Sequence, residues 1–159
     1  MVTDCSRNDL IFNDLLKAIK AGKSPILLTE RTGHLDEFAT RLNGLVKNVI
    51  VMKGGMGVKQ RRSIAEQRVS IPDVEERVLL ATGRYIGEGF DDARLGTLFL
   101  ALPISWRGTL QQYFGRLHRL HDNKREVIVY DYLDTFSPVL KSMYRKRVKG
   151  YQAIGYEVQ

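Results

Sequence analysis

The chain has 159 residues, a length suited to one domain, with 25 Lys and Arg against 18 Asp and Glu for a formal charge of +7. Apolar residues make up 43% and charged residues 27%, which excludes a disordered or low-complexity chain and supplies one core. The single cysteine, Cys5, excludes an intrachain disulfide, and no apolar run reaches the roughly 18 residues of a membrane span.

Asn8 to Ala21 is the first predicted helix, with Leu10, Ile11, Leu15, Leu16 and Ile19 at helical spacing, Asn8 as N-cap and Gly22 as stop. Ile26–Thr29 is the first predicted strand. A helix follows over Leu35 to Leu42, carrying Leu35, Phe38, Ala39 and Leu42. Val49–Met52 is a strand, and Lys59 to Val69 a polar helix with a thin apolar stripe. Val78–Ala81 and Thr97–Ala101 are strands, Arg107 to His121 a helix, Val127–Asp131 a strand, and Phe136 to Tyr151 the last helix. The strand runs are continuously apolar rather than alternating, which suits strands covered on both faces. Strands alternating with helices predict a mostly parallel central sheet with helices on both faces. Short connections predict one domain over residues 1–159, with loose termini at 1–8 and 152–159. Asp4, Arg7 and Asp9 stand where a signal peptide is apolar, so the expected location is the reducing cytoplasm, away from any membrane.

In such a sheet the working loops lie at the carboxyl ends of the strands. Here they read Glu30-Arg31-Thr32-Gly33, Lys53-Gly54-Gly55-Met56-Gly57, Thr82-Gly83-Arg84 and Leu102-Pro103. Glycines, hydroxyls and cations gather on that edge. The charge is also uneven: residues 1–102 hold 15 basic and 13 acidic side chains, residues 103–159 hold 10 and 5. Such asymmetry fits a polyanionic partner, and equally a solvated basic surface.

Two segments carry the chemistry. On a helix, Gln112, Arg116 and Arg119 fall at i, i+4 and i+7 and share a face, while Gly115 leaves room for close approach. Paired guanidinium forks one turn apart suit a phosphoryl group; spacing alone fits an ordinary surface helix as well. The segment Ala81 to Leu95 places Thr82 at a strand end, then Gly83, Gly87 and Gly89, then Asp91, whose carboxylate suits a ribose hydroxyl or an Asx turn. His118 and His121 lack a third ligand, so no metal site is expected. Trp106 and Tyr113 suit either base stacking or the core. Lys141, Arg145, Lys146, Arg147 and Lys149 share the last helix with an apolar stripe of Leu140, Tyr144, Val148 and Tyr151; that basic side faces DNA, another domain or solvent.

Together these segments resemble the second RecA-like domain of superfamily 2 helicases, the DEAD/DEAH-box and restriction-helicase group. Gln112-x-x-Gly115-Arg116-x-x-Arg119 is similar to that family's sixth motif. Ala81-Thr82 with Gly89-Phe90-Asp91 is similar to its fifth, and Ile26 to Leu42 to its fourth. Lys53-Gly54-Gly55-Met56 with Arg61 resembles its HGxM turn and following arginine. The likeness runs from Pro25 to Tyr132. Gly83, Glu88, Gln112 and Val58 depart from the DEAD-box pattern and bring the chain nearer to DNA helicases and restriction motors.

The resemblance implies a three-layer RecA-like α/β fold and the C-terminal motor domain of an ATP-dependent helicase or translocase, with DNA as its track. It implies that Arg116 and Arg119 are arginine fingers and that Gln112 meets the γ-phosphate or its attacking water network. Gly115 would then face the nucleotide, Gly89 and Asp91 the nucleotide's sugar or the interdomain hinge, and Arg31, Thr32, Gly33, Lys53, Gly54, Arg61 and Thr82 the nucleic-acid backbone. ATP and Mg²⁺ are expected mainly on an N-terminal RecA-like partner domain. Gly22-Lys23-Ser24 is no P-loop, because Lys17 stands where the first glycine belongs and a strand follows rather than precedes it. The chain alone is therefore expected to be inactive, as part of a longer motor. The alternatives are a stand-alone nucleic-acid-binding α/β domain and a nucleotide-binding protein acting alone; the absent P-loop weighs against the latter.

Overall fold

The computed structural model describes residues 5–83, 85, 92, 94–101, 127–132, 137–153 and 155–157. In chain order it contains α1 (Cys5–Lys20), β1 (Pro25–Thr29), α2 (Thr32–Leu42), β2 (Val49–Met52), α3 (Val58–Ser70), β3 (Val78–Thr82), β4 (Thr97–Leu100), β5 (Ile128–Asp131) and α4 (Pro138–Ala153). The five strands form one parallel sheet in the order β2-β3-β1-β4-β5.

The continuous apolar runs are explained by two cores. Ile26, Leu28, Ile50, Met52, Leu79 and Ala81 face one way, towards Ile64, Ile71 and Tyr151. Leu27, Val78, Leu80 and Phe99 face the other, towards Ile11 and Leu15 of α1 and Leu35, Phe38 and Leu42 of α2. The path β1-α2-β2 moves outward across the sheet and β2-α3-β3 moves back. Right-handed crossovers in opposite directions put α2 and α3 on opposite faces, which makes three layers. The sheet is the three-layer RecA-like α/β arrangement expected from the sequence.

Two helices end where glycine allows a left-handed turn. Gly22 has φ +82 and donates to the Ile19 carbonyl, while Lys23 donates to that of Ala18, a Schellman closure of α1. Gly155, at φ +94, closes α4 alike, with Tyr156 donating back to the Tyr151 carbonyl and packing on its ring. Gly22-Lys23-Ser24 is thus a helix end, and the Ser24 hydroxyl accepts from the Arg77 guanidinium at 3.0 Å.

Two expectations are corrected. Asn8 is no N-cap: α1 begins at Cys5 and Asn8 is a buried residue inside it. Arg147 does not share the solvent-facing basic side of α4. It is 1% exposed, and its Nε and Nη2 donate to Asp131 Oδ2 and Oδ1 at 2.7 and 2.8 Å. The reason is angular: Arg147 lies three residues after Tyr144 and four before Tyr151, on the stripe that faces the sheet.

The amino edge of the sheet is held by a second buried cluster. Arg77, just before β3, reaches Ser24, just before β1, and pairs with Asp92 at 2.9 Å; Arg68 reaches the same carboxylate at 3.1 Å. Burial alone raises the Asp92 carboxyl, but the hydrogen bonds and charge of Arg77, with Arg68, hold it below the ordinary value. Arg94 donates to the carbonyls of Pro72, Asp73 and Glu75 and so fastens the loop entering β3.

Candidate nucleic-acid interface

A parallel sheet delivers every strand's carboxyl end to one rim, so the loops after β1, β2 and β3 are neighbours. Thr29 and Thr82 are register partners at the ends of adjacent strands. Lys53, Gly54, Thr82 and Arg61 of the expected backbone-contacting set come together around that point, and Arg31, Thr32 and Gly33 border it.

After β1, Arg31 is extended at φ −118 and ψ 127 and α2 starts at Thr32, with no side chain capping it. Thr32 and Gly33 are therefore the first residues of a helix rather than a turn. Their N–H groups precede the first intrahelical bonds and open on the rim, and both residues are exposed. A Cβ added to Gly33 would meet nothing within 4 Å.

Behind this helix start lies a polar chain that sequence reasoning missed. His34 is fully buried, with Nδ1 3.1 Å from Thr29 Oγ1 and Nε2 3.0 Å from Asn8 Oδ1. Asn8 donates its Nδ2 to both Glu37 carboxylate oxygens at 3.2 and 3.3 Å. A carboxylate only accepts, so Asn8 must turn its amide nitrogen to Glu37 and its oxygen to His34. His34 therefore carries its proton on Nε2, and the Thr29 hydroxyl donates to the bare Nδ1. The same hydroxyl oxygen accepts the Arg31 N–H at 3.4 Å. α1, the end of β1 and the start of α2 are thus tied through one imidazole. A lone histidine in the apolar periodicity of α2 was the signal available in the sequence; its partner Asn8 resembled a cap.

Burial holds His34 below its ordinary value near 6.5, with Arg7 and Arg31 adding to the effect against Glu37. As pH falls, the unfolded chain takes up this proton first, so the stability contribution is complete above about 6.5 and is lost below it. Urea unfolding should accordingly show a lower midpoint at pH 5.5 than at 7.5. His34→Gln should be less stable at pH 7.5 but lose less on acidification. An equal acid loss in both proteins would count against the neutral imidazole.

After β2, the Gly54 N–H donates to Thr82 Oγ1 at 2.9 Å, and the Tyr85 N–H approaches the same oxygen at 3.4 Å. The Thr82 hydroxyl thus stitches the β2 and β3 loops together. Lys53 forms an exposed ion pair with Asp36 at 2.8 Å, a contact of little energetic weight. At the start of α3, Gln60 accepts the Gly57 N–H at 3.4 Å. Arg61 lies with its guanidinium carbon 4.2 Å from the centroid of the buried Tyr85 ring, a cation–π contact that fixes the cation beside the Thr82 loop. Gly83 lies against the Glu30 side chain: a Cβ there would sit 2.8 Å from Oε1, the end of an exposed and flexible chain that can move aside. Nothing in the local sequence marks Tyr85 as the partner of Arg61.

Gly89, Asp91, Gln112, Gly115, Arg116 and Arg119 lie outside the described residues, as do Trp106, Tyr113, His118 and His121. Among the described residues no three His, Cys, Asp or Glu side chains group as a metal site, and no helix is long and apolar enough to cross a membrane.

No family profile matches the chain. Over 118 residues it is 28% identical to the transcript termination protein OPG145 of Variola virus, and the transcript termination protein A18 of Camelpox virus matches equally. The chain spans 23% of the length of those relatives. Among solved structures, the C-terminal part of the Fun30 ATPase domain superposes with a TM-score of 0.70 at 16% identity, over 87% of this chain and 44% of that one. T4 UvsW superposes with a TM-score of 0.68 at 15% identity, over 92% and 32%. These structural likenesses show the RecA-like fold. The uncharacterized protein 108L of Invertebrate iridescent virus 3 is 33% identical over 103 residues, 65% of this chain and 92% of that one. Sharing that identity over nearly the whole of its relative, the chain belongs to the protein 108L family.

Proposed function

We propose that this domain is the second motor domain of an ATP-dependent helicase or translocase, gripping the backbone of its track, DNA, through the carboxyl rim. In this reading ATP and Mg²⁺ sit mainly on a P-loop-bearing partner domain. Arg116 and Arg119 reach across to the γ-phosphate, Gln112 joins them, and Gly89, Asp91 and Gly115 border the nucleotide. Closure and reopening between the domains advance the nucleic acid.

The observation that carries this reading is the convergence at the rim. The exposed start of α2, the Gly54–Thr82 stitch and the Arg61–Tyr85 pair stand on adjacent strand ends. The open N–H groups at the start of α2 and the cations Arg31, Lys53 and Arg61, on loops that the Gly54–Thr82 bond holds together, suit phosphates rather than bases, so binding should be indifferent to sequence. The fold shared with part of the Fun30 ATPase domain supports the motor assignment.

Titration with a mixed-sequence single strand tests the rim. The triple variant Arg31→Gln, Lys53→Gln, Arg61→Gln should lower the slope of log K against log salt by about 2, at roughly 0.7 per phosphate contact. An unchanged slope would remove the rim from the interface. ATP titration of the chain alone should give a dissociation constant no better than about 1 mM, since the triphosphate-holding loop is not in it. Micromolar binding would instead favour a nucleotide-binding protein acting alone.

A second reading, a nucleic-acid-binding domain without motor activity, has one observation in its favour. The matched residues make up 92% of protein 108L, so one relative carries this domain with little else. In the poxvirus relatives the matched region is a minor part of a longer chain. The two readings separate on whether a P-loop-bearing domain gains ATP hydrolysis from this one.

A further inference from the structure

The outer face of α4 combines two features that folding alone does not explain. Lys141, Arg145 and Lys149 stand at i, i+4 and i+8, successive rows about 6 Å apart along the helix. Lys146 extends the row sideways. Arg145, Lys146 and Lys149 are exposed and Lys141 half-buried, and among the described residues none of the four has an ion-pair partner. α4 is also the one described helix without a single Asp or Glu, whereas α1, α2 and α3 each mix both signs.

Like charges at i, i+4 weaken a helix, and none of these cations lies in the last turn, where the helix dipole would favour it. The row therefore opposes the local structure that carries it. What holds the helix in place is the opposite side, where Arg147 and Tyr151 close on Asp131 at the carboxyl end of β5. A charge row that opposes local stability is the kind of conflict expected at a functional surface.

We infer that this face of α4 binds phosphates of the nucleic-acid backbone as a contact separate from the rim loops, an inference that rests on the nucleic-acid reading above. Val139, at 68% exposure, is the only large apolar side chain exposed on α4. The face therefore offers cations and little to insert into a bilayer, which suits a phosphate chain in water; purely electrostatic adsorption to an anionic bilayer surface is the competing outcome that the test below separates.

The test uses the whole chain with four changes: Lys141→Gln, Arg145→Gln, Lys146→Gln and Lys149→Gln. Titration with a mixed-sequence DNA duplex across a salt series should show the slope of log K against log salt falling by about 3.6, at roughly 0.9 for each of four phosphate contacts. At low salt the same variant should melt about 2 °C higher, because the repulsion is gone. Loss of binding with a gain in stability is a signature that misfolding cannot produce. Exchanging Arg145→Lys and Lys149→Arg, which keeps the charges, should leave the slope unchanged.

Three comparisons decide the outcome. A normal slope in the four-Gln variant, with the rim variant weakened, overturns the inference and leaves the proposed function standing. The reverse result supports α4 and removes the rim. Equal, α4-dependent binding to phosphatidylserine vesicles would overturn the assignment to nucleic acid.

Discussion

Replacing Arg147 by Met lowers the stability of the domain by about 3–5 kcal/mol and its Tm by about 10 °C, read by thermal melting. Arg147 is 1% exposed and its partner side chain Asp131 8%, so water cannot replace the lost bonds. Both Asp131 oxygens are engaged, Oδ1 by Arg147 Nη2 and Oδ2 by Arg147 Nε and the Tyr151 hydroxyl at 2.7 Å. Burial alone would lower the Arg147 guanidinium, but the Asp131 carboxylate outweighs it and raises the group above its ordinary value. Removing the cation strands a buried carboxylate, which is the costly way to break such a pair. The triple change Arg147→Met, Asp131→Leu, Tyr151→Phe removes every polar member together. It should recover most of the loss, because an apolar cluster of similar volume replaces a buried ion pair at little cost. A single variant as stable as the parent would show that Arg147 faces water in solution.

The strands were legible because burial on both faces leaves no other pattern. The runs at 26–29, 49–52, 78–81, 97–101 and 127–131 each lie within one residue of an observed strand. The polar helix at 59–69 is α3, which contains no buried residue, so its thin stripe was an accurate report of weak packing. The rim was legible through glycines and hydroxyls at strand ends. The polar ties inside the fold were not. Asn8 carries a side chain that caps helices and makes buried hydrogen bonds equally well, and only the position of Glu37 and His34 decides between them. Arg147 stood in a run of cations, yet the 3.6-residue period places it with Leu140, Tyr144 and Tyr151; stepping that period through the run separates it from Arg145 and Lys146. Asp92 is indistinguishable from Asp91 in the sequence, because nothing local shows that Arg77 and Arg68 converge on it.

The second large effect concerns the paired arginines. Joined to a P-loop-bearing domain, in one polypeptide or in trans, the chain should stimulate ATP hydrolysis, and changing Arg116→Ala with Arg119→Ala should abolish that stimulation. For GTPases an arginine finger is worth roughly 10³–10⁵ in rate. A loss of about 10³ corresponds to about 4 kcal/mol of transition-state stabilisation. Such charge acts where negative charge develops on the phosphoryl group, and it is strongest where water is excluded by domain closure. Nucleic-acid binding should be largely kept in the same variant, because the rim residues Arg31, Thr82 and Gly54 stand on other loops.

The steady-state ATPase rate of the joined protein, with and without the two arginines, is therefore the decisive measurement. The motor account predicts a rate near the background of the P-loop domain alone once both are replaced by Ala, with DNA affinity changed by less than about threefold, well under 1.4 kcal/mol. Undiminished hydrolysis in that double variant would contradict it.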